Sequence, residues 1–516
     1  MTACATSKNL SERHLTGNLF LPVPDTDFRD YLDKIAEIAL FAPEIIQEIN
    51  VDLDNHAKKK KRLRLADKRF FESQTADLPG LEIEKQELCA KELNLEIGCP
   101  RMSEYAVYVF LMLRGFLGSL TSVPAQRFLR ESISLYAFMQ ERGLKIPAIT
   151  TIFENVNAVS HATRTLVFDK QIELVLKENL DDFKRLTIDS TAVKANSSWP
   201  TDAQVLTRLL QRAYSLGQKL HLFGVENYNK GWAPHWLEDM DKLVFQICLV
   251  AGKANSRGKL KKGYRKILKL GQKVSKFLTA ENNRLIQDLV MESIPPSRRV
   301  LLQRILDQIS NDLGDATKVL KYADDRVFHD KKLPSTEKVL SLSDGSAAYI
   351  KKGNRNPVIG YKPQLVRSAN GFVTSLIVPE GNAADSVKLV PAIQNSIKRT
   401  GVIAELVSTD DGYASKNGRD KVLEMGVKDV SISGAKGKKL TSIDDWNSET
   451  YQDARRDRSA VESLMFTIKD GFSFGVLGRR GIDAVRDELL EKVLAYNCCR
   501  IILLENRRRE KQRMAA

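Results

Sequence analysis

The chain has 516 residues, more than one hydrophobic core usually spans, so two or three folding units are expected. Its 43% hydrophobic and 28% charged residues are ordinary for a soluble globular protein, and 80 Lys and Arg against 65 Asp and Glu leave a net charge of +15, which fits a polyanionic partner or simply a basic surface. The six cysteines, Cys4, Cys89, Cys99, Cys248, Cys498 and Cys499, form no C-x-x-C pair, which argues against a disulfide framework or a zinc site and for a reducing cytosol.

No N-terminal run resembles a signal peptide. Phe28, Leu32, Ile35 and Ala39 recur at helical spacing, with Asp27 placed to cap the helix and Pro43 to end it. The run Lys58-Lys59-Lys60-Lys61-Arg62-Leu63-Arg64 is either a phosphate-contacting surface or a solvated helix face. The most apolar stretch, residues 105–120, is broken by Arg114 and is too short to span a bilayer, so it reads as a buried core helix. Pro124, Gly143 and Pro147 punctuate several short helices up to residue 175, which suit a helix-turn-helix reader or a small bundle with no DNA role.

Residues 183–193, FKRLTIDSTAV, change character and predict a strand. Trp199-Pro200-Thr201-Asp202 then predicts a turn and an N-cap, followed by helical patterns to about residue 330. Within these lies a basic stretch from Lys253 to Lys276, whose spacing puts several cations on one helix face, either tracking a DNA backbone or facing solvent. Strands are predicted over 347–352, 358–366, 371–378, 402–409 and 427–432, with Gly353 and Gly371 near turns and helices over 385–398 and 414–425. Long helices over 449–469 and 482–505 close the chain, and Arg507 to Arg513 reads as a frayed basic tail.

Three acids stand out by their settings. Asp189 interrupts a β-branched run, where a charge is rarely buried without a partner or a metal. Asp410 ends a predicted strand, the usual place for ligand-binding groups in α/β sheets, with Asp411 beside it as a competitor. Glu462 belongs with Arg458 and Lys469 to a polar stripe beside the core stripe Val461, Leu464, Met465 and Ile468; taken alone, it is equally an i,i+4 surface pair with Arg458. Phosphodiester cleavage gives a reason to combine them, because a few carboxylates suffice to hold magnesium, and two ions about 3.5–4 Å apart activate water and stabilise the leaving oxygen.

In order, these residues carry a resemblance. The blocks Ile188-Asp189-Ser190-Thr191 with Pro200-Thr201-Asp202, Asp410-Asp411-Gly412-Tyr413, and Arg458-x3-Glu462-x6-Lys469 resemble those of bacterial insertion-sequence transposases of the DDE class, over about residues 100–505. The resemblance implies an α/β fold: an RNase H-like catalytic domain with a helical insertion after its first strand, preceded by helical N-terminal domains. The division expected is 1–100 charged and helical, 101–175 helical with a possible role in binding DNA ends, 176–505 catalytic with an insertion at about 203–330, and 506–516 a basic tail. Asp189, Asp410 and Glu462 would bind two Mg²⁺ or Mn²⁺ ions, while Arg458 and Lys469 would contact the transposon end or its scissile phosphate. Asp410 keeps the family's spacing to Tyr413, and Asp457 breaks the spacing that Glu462 keeps. Many relatives carry a Tyr three residues before the Arg; here that position is Arg455, which puts one DNA-contacting aromatic in doubt.

The resemblance further implies an enzyme that binds terminal inverted repeats and double-stranded target DNA as a homodimer, in the cytoplasm with the nucleoid and without a membrane. Metal-activated water would free a 3′ hydroxyl at the transposon end, and that hydroxyl would attack target DNA. Two rival readings are a non-catalytic DNA-binding relic of a transposase and a metal-dependent phosphohydrolase acting on small substrates.

Overall fold

The computed structural model describes residues 28–75, 101–196, 201–225, 232–251, 253–287, 289–331, 334, 337–351 and 356–515. Asp27, Trp199, Pro200, Gly353, Cys4, Cys89 and Cys99 lie outside them. Seven helices precede the first strand among the described residues: α1 (Phe28–Phe41), α2 (Glu44–Thr75), α3 (Glu104–Phe116), α4 (Val123–Glu131), α5 (Ile133–Gln140), α6 (Ile149–Ala158) and α7 (His161–Lys177). Strands β1 (Arg185–Ser190) and β2 (Val193–Lys194) follow, then helices α8 (Asp202–Gln218), α9 (Ala233–Val250), α10 (Arg257–Gln287) and α11 (Pro296–Phe328). The chain continues with β3 (Ala348–Ile350), β4 (Val358–Tyr361), β5 (Gln364–Ser368), β6 (Val373–Ile377), α12 (Leu389–Thr400), β7 (Leu406–Thr409), α13 (Lys416–Glu424) and β8 (Asp429–Ile432). It ends in α14 (Ala435–Leu440), α15 (Ile443–Asn447), α16 (Glu449–Gly471) and α17 (Ile482–Ala515). The α/β class and the helical part before β1 are as expected. Residues 507–513 continue α17 with exposed side chains, so they are helical rather than frayed.

The described residues divide into two compact units, one within 1–55, 101–196 and 346–516, the other within 56–100 and 197–345. The first holds a mixed five-stranded sheet in the order β6-β5-β1-β7-β8. Its β1 runs antiparallel to β5 and parallel to β7, and β7 runs parallel to β8. A smaller antiparallel sheet has the order β2-β4-β3.

The alternation of the strands sorts their side chains. Leu186, Ile188, Val366, Val407, Val430 and Ile432 point into one core with Leu389 and Ile393 of α12 and Val422 of α13. Each such side chain contributes about 1.5–3 kcal/mol on burial. On the other face Ser408 donates its hydroxyl to the Ala454 carbonyl of α16 at 2.6 Å, and α16 packs on β1, β7 and β8. Helix α3, the apolar stretch of the sequence, is buried over Ala106–Phe116 and packs on α17. Contact there is close: a Cβ on Gly115 would stand 2.0 Å from the Glu491 carbonyl oxygen, so only glycine lets the two helices meet.

The second unit, in its described residues, is helical. Leu206, Leu210, Met240, Ile267, Val274, Leu302, Ile309 and Val319 build its core from α8, α9, α10 and α11. Thr201, within the run expected to hold an N-cap, caps α8 in a reciprocal capping box with Gln204. Asp312 of α11, 1% exposed, accepts from the Arg212 guanidinium at 2.7 Å, so the one buried charge of this contact is paired. The run Lys58–Arg64 lies on α2 with its basic side chains exposed.

Candidate active site

Strand register brings two of the three expected acids together. Thr187 of β1 lies beside Ser408 of the parallel β7, so two residues on, at the carboxyl ends of both strands, Asp189 comes opposite Asp410. Alternation puts Asp189 on the face of Thr187, the side on which α16 packs, while Asp410 follows the last residue of β7 and caps the short turn after it. Asp189 Oδ1 accepts the Ser190 backbone N–H at 2.6 Å, and Asp410 Oδ1 accepts that of Gly412 at 2.9 Å.

The neighbouring Asp411 is turned away. Its Oδ1 accepts the backbone N–H groups of Lys436 and Gly437 at 2.9 and 3.0 Å, at the start of α14. Gly434 makes this fit possible: its φ is +110°, and a Cβ there would stand 2.7 Å from the Asp411 carboxyl carbon. Asp411 thus holds the loop after β8, and Asp410 is the one of the two at the register position of Asp189.

A third carboxylate, one the sequence did not single out, joins them. Asp385 opens the short turn before α12, and its Oδ1 accepts from the buried Lys362 ammonium at 2.8 Å and from Gln364 Nε2 at 2.9 Å. The position of a Cβ on Gly412 would be 3.0 Å from Asp410 Oδ1 and 3.2 Å from Asp385 Oδ2, so both carboxylates converge on that glycine. Tyr413 is fully buried and donates its hydroxyl to Gln364 Oε1. Burial first, then the charges of Asp385, Asp189 and Asp410, push the Tyr413 phenol far above its ordinary range. It stays a neutral hydrogen-bond donor, and the Lys362 ammonium is the cation paired with Asp385. The only sequence signal for Asp385 was its place at the start of the predicted helix over 385–398.

Glu462 stands differently. On α16 its side chain is 70% exposed and pairs with Arg458, itself about a third exposed, at 3.7 Å. Asp457, its competitor, is paired with Arg185 at the other end of β1 at 2.5 Å. Arg455 occupies the position where relatives carry Tyr; it lies over the Trp446 ring at 4.4 Å and donates to the Trp446 carbonyl. Lys469, near the end of α16, borders Gly475, whose Cβ would lie 3.6 Å from its side chain. Among the described residues no three His, Cys, Asp or Glu side chains converge closely enough to hold a metal ion. The register sets Asp189 beside Asp410, Asp385 approaches Asp410 at Gly412, and Glu462 stands at the solvent face of α16.

Residues 324–498 match the model of the family described as the Transposase DDE domain. The chain carries a transposase DDE domain. Comparison with curated proteins and with solved structures gives no match. The matched segment runs from within α11 to within α17 and contains Asp385, Asp410, Arg458, Glu462 and Lys469. Asp189 precedes it and enters the transposase domain through the pairing of β1 with β5 and β7. The domain marks the chain as a transposase enzyme acting on DNA, and such enzymes typically use divalent metal ions. No described helix is long and apolar enough to cross a membrane.

Proposed function

We propose that this transposase binds the terminal inverted repeats of an insertion sequence and catalyses metal-dependent strand cleavage and strand transfer. The observation that carries the proposal is the register that sets Asp189 and Asp410 side by side at the carboxyl ends of adjacent parallel strands. The order β6-β5-β1-β7-β8, with three antiparallel strands followed by two parallel ones, supports an RNase H-like core interrupted after its first strand by helices α8 to α11.

The donor set suits Mg²⁺ or Mn²⁺, because carboxylate oxygens are the ligands these hard cations prefer. Asp189, Asp410 and Glu462 would hold two such ions. When bound, the ions supply an acidified water and stabilise the leaving oxygen. The exposed i,i+4 pair that occupies Glu462 is worth only about 0.3–0.5 kcal/mol, so releasing Glu462 from Arg458 costs little. Arg458 and Lys469 would bind the transposon end through its phosphates. Water oxygen then forms a bond to phosphorus while the bond to the 3′ oxygen breaks, leaving a 3′ hydroxyl. In strand transfer that hydroxyl attacks a target phosphorus and displaces the 3′ oxygen of the target.

Within the same proposal, residues 101–175 assist in holding the ends, 176–505 form the catalytic region with its insertion, 1–100 and 506–516 flank them, and the protein works as a homodimer on nucleoid DNA in the cytoplasm. The test is strand cleavage of a duplex made from the DNA flanking the coding region. Cuts leaving a 3′ hydroxyl, dependent on Mg²⁺ or Mn²⁺, are expected; turnover of a simple phosphoester with the duplex left intact contradicts the proposal.

A further inference from the structure

Helix α10 carries a feature that the acids do not use. Between Lys253 and Lys276 the sequence places ten Lys and Arg among 24 residues and not one Asp or Glu. In the structure Lys262, Arg265, Lys266, Lys269, Lys273 and Lys276 are all exposed, while Tyr264, Ile267, Gly271, Val274 and Leu278 face the core of the helical unit. At the helical repeat, the six cations fall within about 100° of arc and extend about 21 Å along the axis. They form one continuous stripe.

Some exposed cations elsewhere in this unit sit beside an acid: Lys318 by Asp315 at 2.8 Å, Arg284 by Glu281 at 2.6 Å, Lys242 by Asp239 at 3.2 Å. Among the described residues none of the six on the stripe enters an ion pair, and like charges three and four residues apart repel one another along it. Lys273 is held over the Trp236 ring at 4.2 Å, and Arg265 over the Phe328 ring at 5.6 Å, so these two cations are oriented by aromatic faces instead of by acids. Beside the stripe a groove between α9 and α10 has an apolar floor of Leu243 and Leu270 and is rimmed by Lys242, Lys266, Lys269 and Lys273 with a single acid, Asp239.

We infer that this face of α10 is a docking surface for the sugar-phosphate backbone of duplex DNA. The proposal rests on the transposase reading and extends it to the helical insertion. Charge complementarity identifies the occupant: an uncompensated row of cations about 21 Å long faces roughly six phosphates of one strand at 3.4 Å per phosphate. Such contacts position the duplex and read no bases, so the binding they add is expected to be independent of sequence and sensitive to salt.

The test compares the full-length wild type with the triple variant K266E/K269E/K273E, binding a fluorescein-labelled duplex from the DNA flanking the coding region, by anisotropy over a series of salt concentrations. The variant is expected to bind at least about tenfold more weakly near 0.1 M salt. Its plot of log affinity against log salt is expected to be shallower by about 2–3, the share of three phosphate contacts. The triple Lys→Arg variant is expected to keep the wild-type affinity and slope. If the Glu variant does not fold, the same loss is expected of the triple Lys→Gln variant. Unchanged affinity and slope in a folded charge variant overturn this surface while leaving the cleavage reading intact, provided the wild type binds and cuts the duplex. Failure of the wild type to bind duplex overturns both. Unchanged duplex binding with loss of binding to phosphatidylglycerol vesicles overturns the surface in favour of a lipid partner.

Discussion

Replacing Glu491 by Gln is expected to lower the stability of the sheet-bearing unit by about 3–5 kcal/mol, seen as an earlier urea midpoint. The Glu491 side chain is 1% exposed and sits at the centre of three guanidinium groups. Arg114 of α3 gives it two hydrogen bonds, at 2.8 and 2.6 Å, Arg164 of α7 one at 2.7 Å, and Arg479, in the segment after α16, one at 2.5 Å. Three separate segments are thereby tied to α17 through one carboxylate. Gln keeps the shape and removes the charge, leaving the buried Arg114 without its counter-ion and Arg164 with only Asp487, at 3.4 Å, which is the costly way to break such a group. Burial by itself would raise the Glu491 carboxyl, but the charges of Arg114, Arg479 and Arg164 outweigh it and hold the group well below the usual carboxylate range. Because the folded value is depressed, the stabilisation is complete above the unfolded value near 4.5 and is lost as pH falls below it toward the lower folded value. Wild type is therefore expected to lose stability on acidification below about 4.5 more steeply than Glu491→Gln. Equal urea midpoints for the two proteins at neutral pH would show that this cluster does not hold the unit together.

The second large effect separates two adjacent aspartates. Asp410→Asn is expected to lower the rate of strand cleavage by at least about 10²–10³-fold, while Asp411→Asn leaves it within a few-fold of wild type. In the proposed function Asp410, set beside Asp189 by the strand register, supplies negative charge to hold a cation, and an amide cannot supply it. Asp411 needs only an acceptor oxygen for the N–H groups of Lys436 and Gly437, and Asn retains one. Asp411→Ala, which removes the acceptor, is expected to cost about 1 kcal/mol of stability. Single-turnover cleavage of one duplex by both Asn variants decides between the two carboxylates; equal losses, or loss only in Asp411→Asn, would reverse the assignment.

Much of the sheet was legible in the sequence because its strands are short β-branched runs between turn residues. Asp189 in β1, Asp410 after β7 and Glu462 on α16 all fall on the kinds of element expected. Where the sequence misled, the physical reason is local. Residues 358–366 read as one strand, but the chain breaks at Lys362-Pro363 into β4 and β5, which belong to different sheets. Proline has no N–H to continue a ladder, and Lys362 turns inward to Asp385. Asp385 itself could not be found from spacing, since Lys362 and Gln364 meet it only after the chain has passed through the β5–β6 hairpin. Arg114 looked like an interruption of an apolar helix; its partner, Glu491, lies 377 residues away. Long-range pairing of buried charges leaves no periodic trace in a sequence, whereas alternation and helical repeat do.

If the paired acids at the ends of β1 and β7 are the cutting centre, the carboxylate of Asp189, set against Asp410, is required to cut DNA. Cleavage of an end-bearing duplex in Mn²⁺ by wild type and by Asp189→Asn, with duplex binding followed in the same samples, measures that requirement. Asp189→Asn is expected to bind the duplex and leave both strands intact while wild type releases a 3′ hydroxyl. Equal cleavage by the two proteins would refute the role given to Asp189.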